Sequence, residues 1–340
     1  MSEKRKYELD MCRILACLLV VFIHVTASGW YIDPTLNEWR VFNLFDVAVR
    51  PGVPLFFMIS GVLFLGRDSF DVRKFITNNI MRLVFIYFIW SVIYELMING
   101  FGNENFYDFL LGVINGYYHL WFLPAMIVVY LFVPIVYNAI NGRRMNPRYI
   151  LVLFFIFTIL TKNLLCFFEN SELVQGMCNK INISYLPYLG YMVLGYILSK
   201  KSFHKKVYIF FPLIVYFLVT ILSAYANRRY SLQKGEATAW LYGDFCIPVF
   251  IQACCFFIFF QYFKGVRVKH PKVLKYISDC TLGIYLLHPM VIKFLNEREI
   301  SVSCFNPVLS VPCISMVVIS MSFLIIAILK ATPLIRKIVS

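Results

Sequence analysis

Apolar residues along this chain gather into ten long blocks separated by short polar segments, at approximately 9-30, 45-66, 77-98, 119-140, 149-168, 184-200, 207-226, 241-262, 276-296 and 308-330. A helix crossing a hydrocarbon core of about 30 Å needs about 20 residues, which is the typical block length. In lipid every backbone amide must be satisfied within its own segment, so the blocks predict helices. The expected fold is all-α: a polytopic helical membrane protein with about ten transmembrane helices, one transmembrane domain over 1-340 and no soluble domain. Lys4, Arg5 and Lys6 precede the first block and Asp33, Pro34 and Glu38 follow it, without a small-residue cleavage site, so it reads as a span.

Composition agrees with this pattern. The chain is 60% hydrophobic, 18% aromatic and 15% charged, whereas soluble domains are roughly 45–50% apolar and 25% charged. A net charge of +14 would suit nucleic acid, but no basic stripe with interleaved aromatics lies outside the apolar blocks. Lys and Arg are instead sorted by side. Six segments, 1-8, 66-76, 141-148, 199-206, 263-275 and 330-340, carry 21 of them, and the five alternate segments carry 7. The positive-inside rule then places both termini in the cytoplasm and requires an even number of spans. No nucleic-acid partner is expected; membrane lipid is, and a homo-oligomer is compatible with the pattern.

Cysteines add little. Cys12, Cys17, Cys254, Cys255, Cys280 and Cys313 lie inside blocks and read as small packing residues. Cys166 and Cys178 flank an external loop and are either bridged or free, and no Cys/His spacing suits a metal.

With no soluble domain, the chemistry must be sought among ionisable residues inside the spans, each costing at least about 2.5–3.5 kcal/mol at the bilayer centre. Arg13 and His24 stand out in the first block. Eleven positions at about 100° each make three turns plus about 20°, so both project from one helix face, roughly 16 Å apart along the axis. Arg13 falls near the cytoplasmic surface, where it either snorkels beside Asp10 or holds an anion, and His24 falls past the midplane. His119 opens the fourth span and His288 lies well into the ninth, so three spans bring imidazoles to similar outer depths. Histidine is the usual general base near neutral pH, and one of the three can serve while the others bind or orient a substrate. Pro289 frees a backbone carbonyl beside His288.

Arg50, near the outer end of the second span, has Asp46 one turn earlier as a partner. Arg82 enters the third span at a depth like that of Arg13, and two guanidinium groups there suit phosphate. Glu95 lies toward the outer end of that span and either orients a histidine, binds a sugar hydroxyl or reaches the interface. Gly52, Ser60 and Gly61 permit close helix approach. Trp30, Tyr31, Trp39, Tyr107, Tyr117, Tyr118, Trp240 and Tyr242 read as the interfacial aromatic belt, with sugar stacking as the other use.

Four segments together resemble a known family: CRILACLLVVFIH containing Arg13 and His24, PLFFMISGVLF, HLWFLPAMIVVYLFVPIV at 119-136 and ISDCTLGIYLLHP at 277-289. They look like the integral-membrane acyltransferase 3 family, in order and over nearly the whole chain. The resemblance implies a bacterial cytoplasmic (inner) membrane protein of about ten spans. It would move an acyl group, commonly acetyl, from cytoplasmic acyl-CoA to a hydroxyl of a surface glycan or glycolipid. Arg13 and Arg82 would then hold the donor phosphates, and His24 with Glu95 would act at the reaction centre. Arg50, His119 and His288 would bind the acceptor, with no metal. The chain departs from the family in having Asn79 where many members place a second arginine three positions before Arg82. The alternative is a transporter of a small solute, or a polysaccharide exporter, on the same fold; a purely structural subunit would leave the ionisable ladder without a use.

Overall fold

The computed structural model describes residues 5–100, 105–163, 185–332, 336 and 338. Helices and their connecting turns make up the structure, with no strand among the described residues. Helix α1 spans Tyr7–Ala27, α2 Asn37–Val49, α3 Gly52–Phe64, α4 Val72–Phe75 and, after a π-helical turn at Ile76–Ile80, α5 Met81–Asn99. Next come α6 Phe106–Asn115, α7 Phe122–Asn141 and α8 Pro147–Phe154, the last continued by a π-helical segment over Phe155–Leu160. Helices α9 Tyr188–Ser199, α10 Val207–Lys234, α11 Ile247–Tyr262, α12 Pro271–Asn296 and α13 Pro307–Ala331 follow among the described residues.

Local chemistry sets several of these ends. Asp71 and Asn146 cap α4 and α8 by accepting backbone N–H groups, and Asn306 does the same for α13. Pro147 and Pro307 then occupy the first turn, where a missing N–H costs nothing. Helix α10 stops at Gly235, whose φ of 74° is left-handed.

Each apolar block carries helix among the described residues, and six helical segments are long and apolar enough to cross a membrane. The protein is thus a multi-pass membrane protein. The second block begins earlier than its apolar pattern indicates, because α2 and α3 form one bent segment over Asn37–Phe64. Asn43 and Asp46 make its first half look polar, yet both are buried, Asn43 among partners on α10 and Asp46 paired with Arg50 one turn on. Two blocks are shorter as helices than as sequence. At about 1.5 Å per residue, the 12 residues of α9 make about 18 Å, which is less than a bilayer core. Residues 241-246 are not helical, and Tyr242, Gly243 and Asp244 among them line the site described below.

Helix α1 occupies the centre, packed on α2, α3, α11, α12 and α13. Helix α3 lies against α9 with close backbone approach. A Cβ at Gly61 would meet the Met192 carbonyl, and one at Gly195 would meet the Met58 backbone. Gly52 similarly faces the Ala16 carbonyl of α1, at 3.1 Å from a Cβ. Ser60 is used differently: its hydroxyl bonds the Phe56 carbonyl at 2.9 Å and Tyr130 Oη at 3.0 Å.

Candidate active site

Three imidazoles meet where α1, the turn before α7, and α12 converge. Ring centroids lie 4.8 Å apart for His24 and His288, 5.5 Å for His119 and His288, and 6.4 Å for His24 and His119. His288 Nδ1 lies 2.7 Å from the Tyr285 carbonyl and 3.3 Å from that of Ile284. Pro289 explains the first contact, since it has no N–H to fill the Tyr285 carbonyl four residues back. A carbonyl only accepts, so His288 Nδ1 carries the proton and its Nε2 is the lone pair. That nitrogen lies 3.0 Å from His24 Nδ1, which also lies 2.9 Å from the Val20 carbonyl. Both neighbours are acceptors, so the network assigns the His24 proton to Nδ1 and leaves Nε2 as the free base.

His119 is buried at 1% exposure, and neither ring nitrogen makes a well-formed hydrogen bond among the described residues. The Leu286 carbonyl beside it accepts instead from Tyr94 Oη at 2.8 Å. The His119 carbonyl accepts from Tyr285 Oη at 2.6 Å.

His24 and His119 open on a cavity of about 350 Å³ whose far wall carries Arg50, Tyr188, Tyr242 and Asp244. Arg50 is held by Asp46 through Nε at 3.0 Å and also through Nη2, and its guanidinium lies 4.9 Å from the Tyr242 ring centre. Asp244 accepts from Tyr188 Oη at 2.5 Å, and its backbone carbonyl accepts from Tyr191 Oη. Tyr242 is anchored by Asn43 and Asn227. The wall therefore offers one cation and one carboxylate, each fixed by its own partners.

A second cavity, of about 580 Å³, lies toward the Arg13 end of α1. Arg13, Arg67, Arg82, Lys330 and Arg336 line it with Asn79 and a single carboxylate, Asp279. Asp10 lies 3.9 Å from Arg13 but is engaged more closely by Arg5 at 2.6 Å and Ser278 at 2.7 Å. Arg13 Nη1 donates to Ser278 Oγ at 3.4 Å and lines the cavity. Arg82 has no ion-pair partner among the described residues, and the π-helical turn before α5 brings it to the cavity together with Asn79. An excess of guanidinium and ammonium groups over carboxylates is an arrangement suited to an anion.

Six of the seven residues singled out in the sequence thus fall into two places: His24, His119, His288 and Arg50 at one, Arg13 and Arg82 at the other. Glu95 does not join them. Its carboxylate accepts from Asn99 at 2.5 Å and faces Gly112 of α6, and no contact to a histidine exists among the described residues. The neighbouring Tyr94 points inward instead, its ring 5.0 Å from that of His119. The belt reading fails for Trp30, Trp39 and Tyr242, which are buried against one another with ring centres 5.2 Å apart for each pair with Trp30. Tyr118 keeps one exposed face while its ring lies 5.5 Å from His24. Pattern reading missed Asp244 and Tyr188, which sit in apolar surroundings with no motif, and Arg67 and Lys330, which it took for loop charges. Cys166 and Cys178 lie outside the described residues. Among the described residues no group of three His, Cys, Asp or Glu is arranged to hold a metal ion.

Comparison with known proteins supplies the family. An amino-acid racemase of Enterococcus faecalis is 30% identical over 153 residues, covering 42% of this chain and 21% of that protein. A serine/alanine racemase of Enterococcus gallinarum is 22% identical over 290 residues, covering 69% of this chain and 39% of that protein. The chain therefore spans well under half the length of these curated relatives. No solved structure matches. The acyltransferase domain model of the acyltransferase 3 family matches residues 6–327. With the paired arginine and histidine sites in place across that match, the chain belongs to the acyltransferase 3 family of membrane acyltransferases.

Proposed function

We propose that this protein transfers an acyl group, acetyl in the first instance, from cytoplasmic acyl-CoA to a hydroxyl of a surface glycan or glycolipid. The observation that carries the reading is the pairing of a cationic cavity around Arg13 and Arg82 with a histidine-lined cavity around His24, which meet at a common wall. Acyl-CoA carries several phosphates and would bind by them in the cationic cavity, its pantetheine arm extending toward His24. His24 Nε2 takes the proton of the acceptor hydroxyl as that oxygen attacks the thioester carbonyl. The C–S bond breaks, the ester C–O bond forms, and the proton returns from His24 to the departing thiolate. His288 Nε2 accepts from His24 Nδ1 throughout and so stabilises the imidazolium. Arg50 and Asp244 would orient the acceptor, and His119 supplies a further polar contact.

This mechanism implies ten crossings of the bacterial cytoplasmic membrane with both termini in the cytoplasm, so that the Arg13 cavity faces the CoA pool. Mass spectrometry of surface glycans from cells with and without the protein tests it. Loss of an acyl mass on deletion, restored by the wild-type gene and not by His24→Ala, is expected; unchanged glycans would overturn the reading.

A second reading is a carrier for a small amino acid. It is favoured by the racemase relatives and by the opposed charges of Arg50 and Asp244 in one cavity, which suit a zwitterion. Uptake of labelled serine by proteoliposomes without acyl-CoA would establish it.

A further inference from the structure

Arg50 and Asp244, the two charged groups of the histidine cavity's far wall, come from different parts of the fold: Arg50 ends α2, and Asp244 lies in the non-helical segment before α11. We infer that Asn227 of α10, which lines neither cavity, is the positioning residue that fixes one relative to the other and so sets how the acceptor binds. That role presupposes the acyl-transfer reading above.

Asn227 is fully buried in a helix whose opposite face, at Leu218, Ile221, Leu222 and Tyr225, is exposed. An amide buried there needs its hydrogen-bonding groups met inside the protein. Its Oδ1 accepts from the Trp240 backbone N–H at 3.1 Å. Its Nδ2 lies 2.9 Å from the Thr238 carbonyl, 2.9 Å from Tyr242 Oη and 3.0 Å from Asn43 Oδ1. A backbone N–H on one side and a backbone carbonyl on the other fix which way this amide faces. Asn43 is oriented in the same manner: its Nδ2 donates to the Ala224 carbonyl at 2.8 Å, which leaves its Oδ1 to accept from Asn227 and from Tyr242 Oη.

This knot ties α10 to both sources of the wall. Asn227 holds the 238–242 segment at Thr238, Trp240 and Tyr242, and Asn43 joins that segment to α2. Arg50 follows Asn43 by about two helical turns, and its guanidinium lies 4.9 Å from the Tyr242 ring centre. Asp244 comes two residues after Tyr242. Tyr188 and Tyr191 hold Asp244 to α9, whereas the Asn43–Asn227–Tyr242 knot holds its segment to α2. Loss of the Asn227 amide would leave the Trp240 N–H and the Thr238 carbonyl unpaired, a cost the segment relieves by shifting and carrying Tyr242 and Asp244 with it. No residue of α2, α10 or the 238–246 segment lines the cationic cavity, so donor binding should be indifferent to the change.

The test is steady-state acetyl transfer by the whole purified protein from acetyl-CoA to the surface-glycan fraction of cells that lack it. Asn227→Leu removes the amide, and Tyr242→Phe keeps the ring beside Arg50 and loses only the hydroxyl. Each should raise the KM for the glycan fraction by about tenfold, with kcat and the KM for acetyl-CoA within about twofold of wild type. The double variant should be little worse than the poorer single one, because both open the same knot. A purely structural role would lower the rate at saturation and the melting midpoint and leave the glycan KM alone. Tyr242→Phe serves by itself if Asn227→Leu does not purify as folded protein. An unchanged glycan KM in the variants that fold would overturn the positioning role alone. Absence of acetyl transfer by the wild type would overturn the acyl-transfer reading and the role with it.

Discussion

His288 Nε2 lies 3.0 Å from His24 Nδ1, and the two rings come from residues 264 positions apart. The contact places a neutral acceptor behind the nitrogen that must keep its proton if His24 is to act through Nε2. His24→Ala is expected to lower acyl transfer by about 10²- to 10⁴-fold, the span of a general base, with the folded protein still in the membrane. His288→Leu should cost about tenfold, and His288→Gln, which keeps an acceptor at similar reach, should recover part of that loss. Acyl content of surface glycans measured across the three variants checks the order; equal activity of His288→Leu and wild type would remove His288 from the mechanism.

Pro289 should matter through what it lacks. Pro289→Ala introduces an N–H that competes with His288 for the Tyr285 carbonyl, while removing an interior proline that costs a regular helix about 3 kcal/mol. Thermal unfolding in detergent should therefore show an equal or higher midpoint as acyl transfer falls. A variant that keeps full activity would show that His288 is held by other means.

At the cationic cavity, Arg13→Ala and Arg82→Ala should each weaken CoA binding by about tenfold, with Arg82→Lys losing less because it keeps the charge but not the planar fork. Arg67→Ala is expected to behave like them, since Arg67 lines the same cavity without a carboxylate partner among the described residues. Calorimetric titration with CoA distinguishes this from a structural role, in which binding would hold while thermal stability dropped.

Glu95→Gln should leave acyl transfer within about twofold of wild type, because its carboxylate serves Asn99 and not the histidines. A loss of the size expected for His24→Ala would contradict this placement.

The crossing of α3 and α9 gives a prediction about stability. Gly61→Leu or Gly195→Leu should destabilise the protein by about 2 kcal/mol or more, because the new side chain meets backbone and not a movable side chain. Melting midpoints in detergent, compared with Gly235→Ala at an open left-handed position, separate crowding from backbone strain.

Much of this was legible because lipid simplifies the code. Apolar length located most of the helices, though not α6 or the first turns of α2, and helical periodicity put Arg13 and His24 on one face of α1. Both hold in lipid because an unsatisfied amide or stray charge is costly whatever the neighbouring helices do. The errors fell where that local rule is overridden. Asn43 looked like a loop residue until partners on α10 satisfied it, and Trp39 and Tyr242 looked interfacial until they were buried. Glu95 lies one position from Tyr94, and about 100° of helical rotation separates a residue in the site from one outside it.

The sequence by itself determined the membrane class, the helices and the identity of the ionisable residues worth following, since these depend on composition and periodicity along one segment. Only the tertiary structure decided which of those residues meet. It drew three histidines from distant segments into contact and gave the lone pair to His24 Nε2 through a carbonyl that Pro289 leaves free. It also brought Asp244 into the wall that faces them. Such outcomes depend on helix rotation and crossing, set by close contacts such as Gly61 on Met192, and no one-dimensional pattern encodes them.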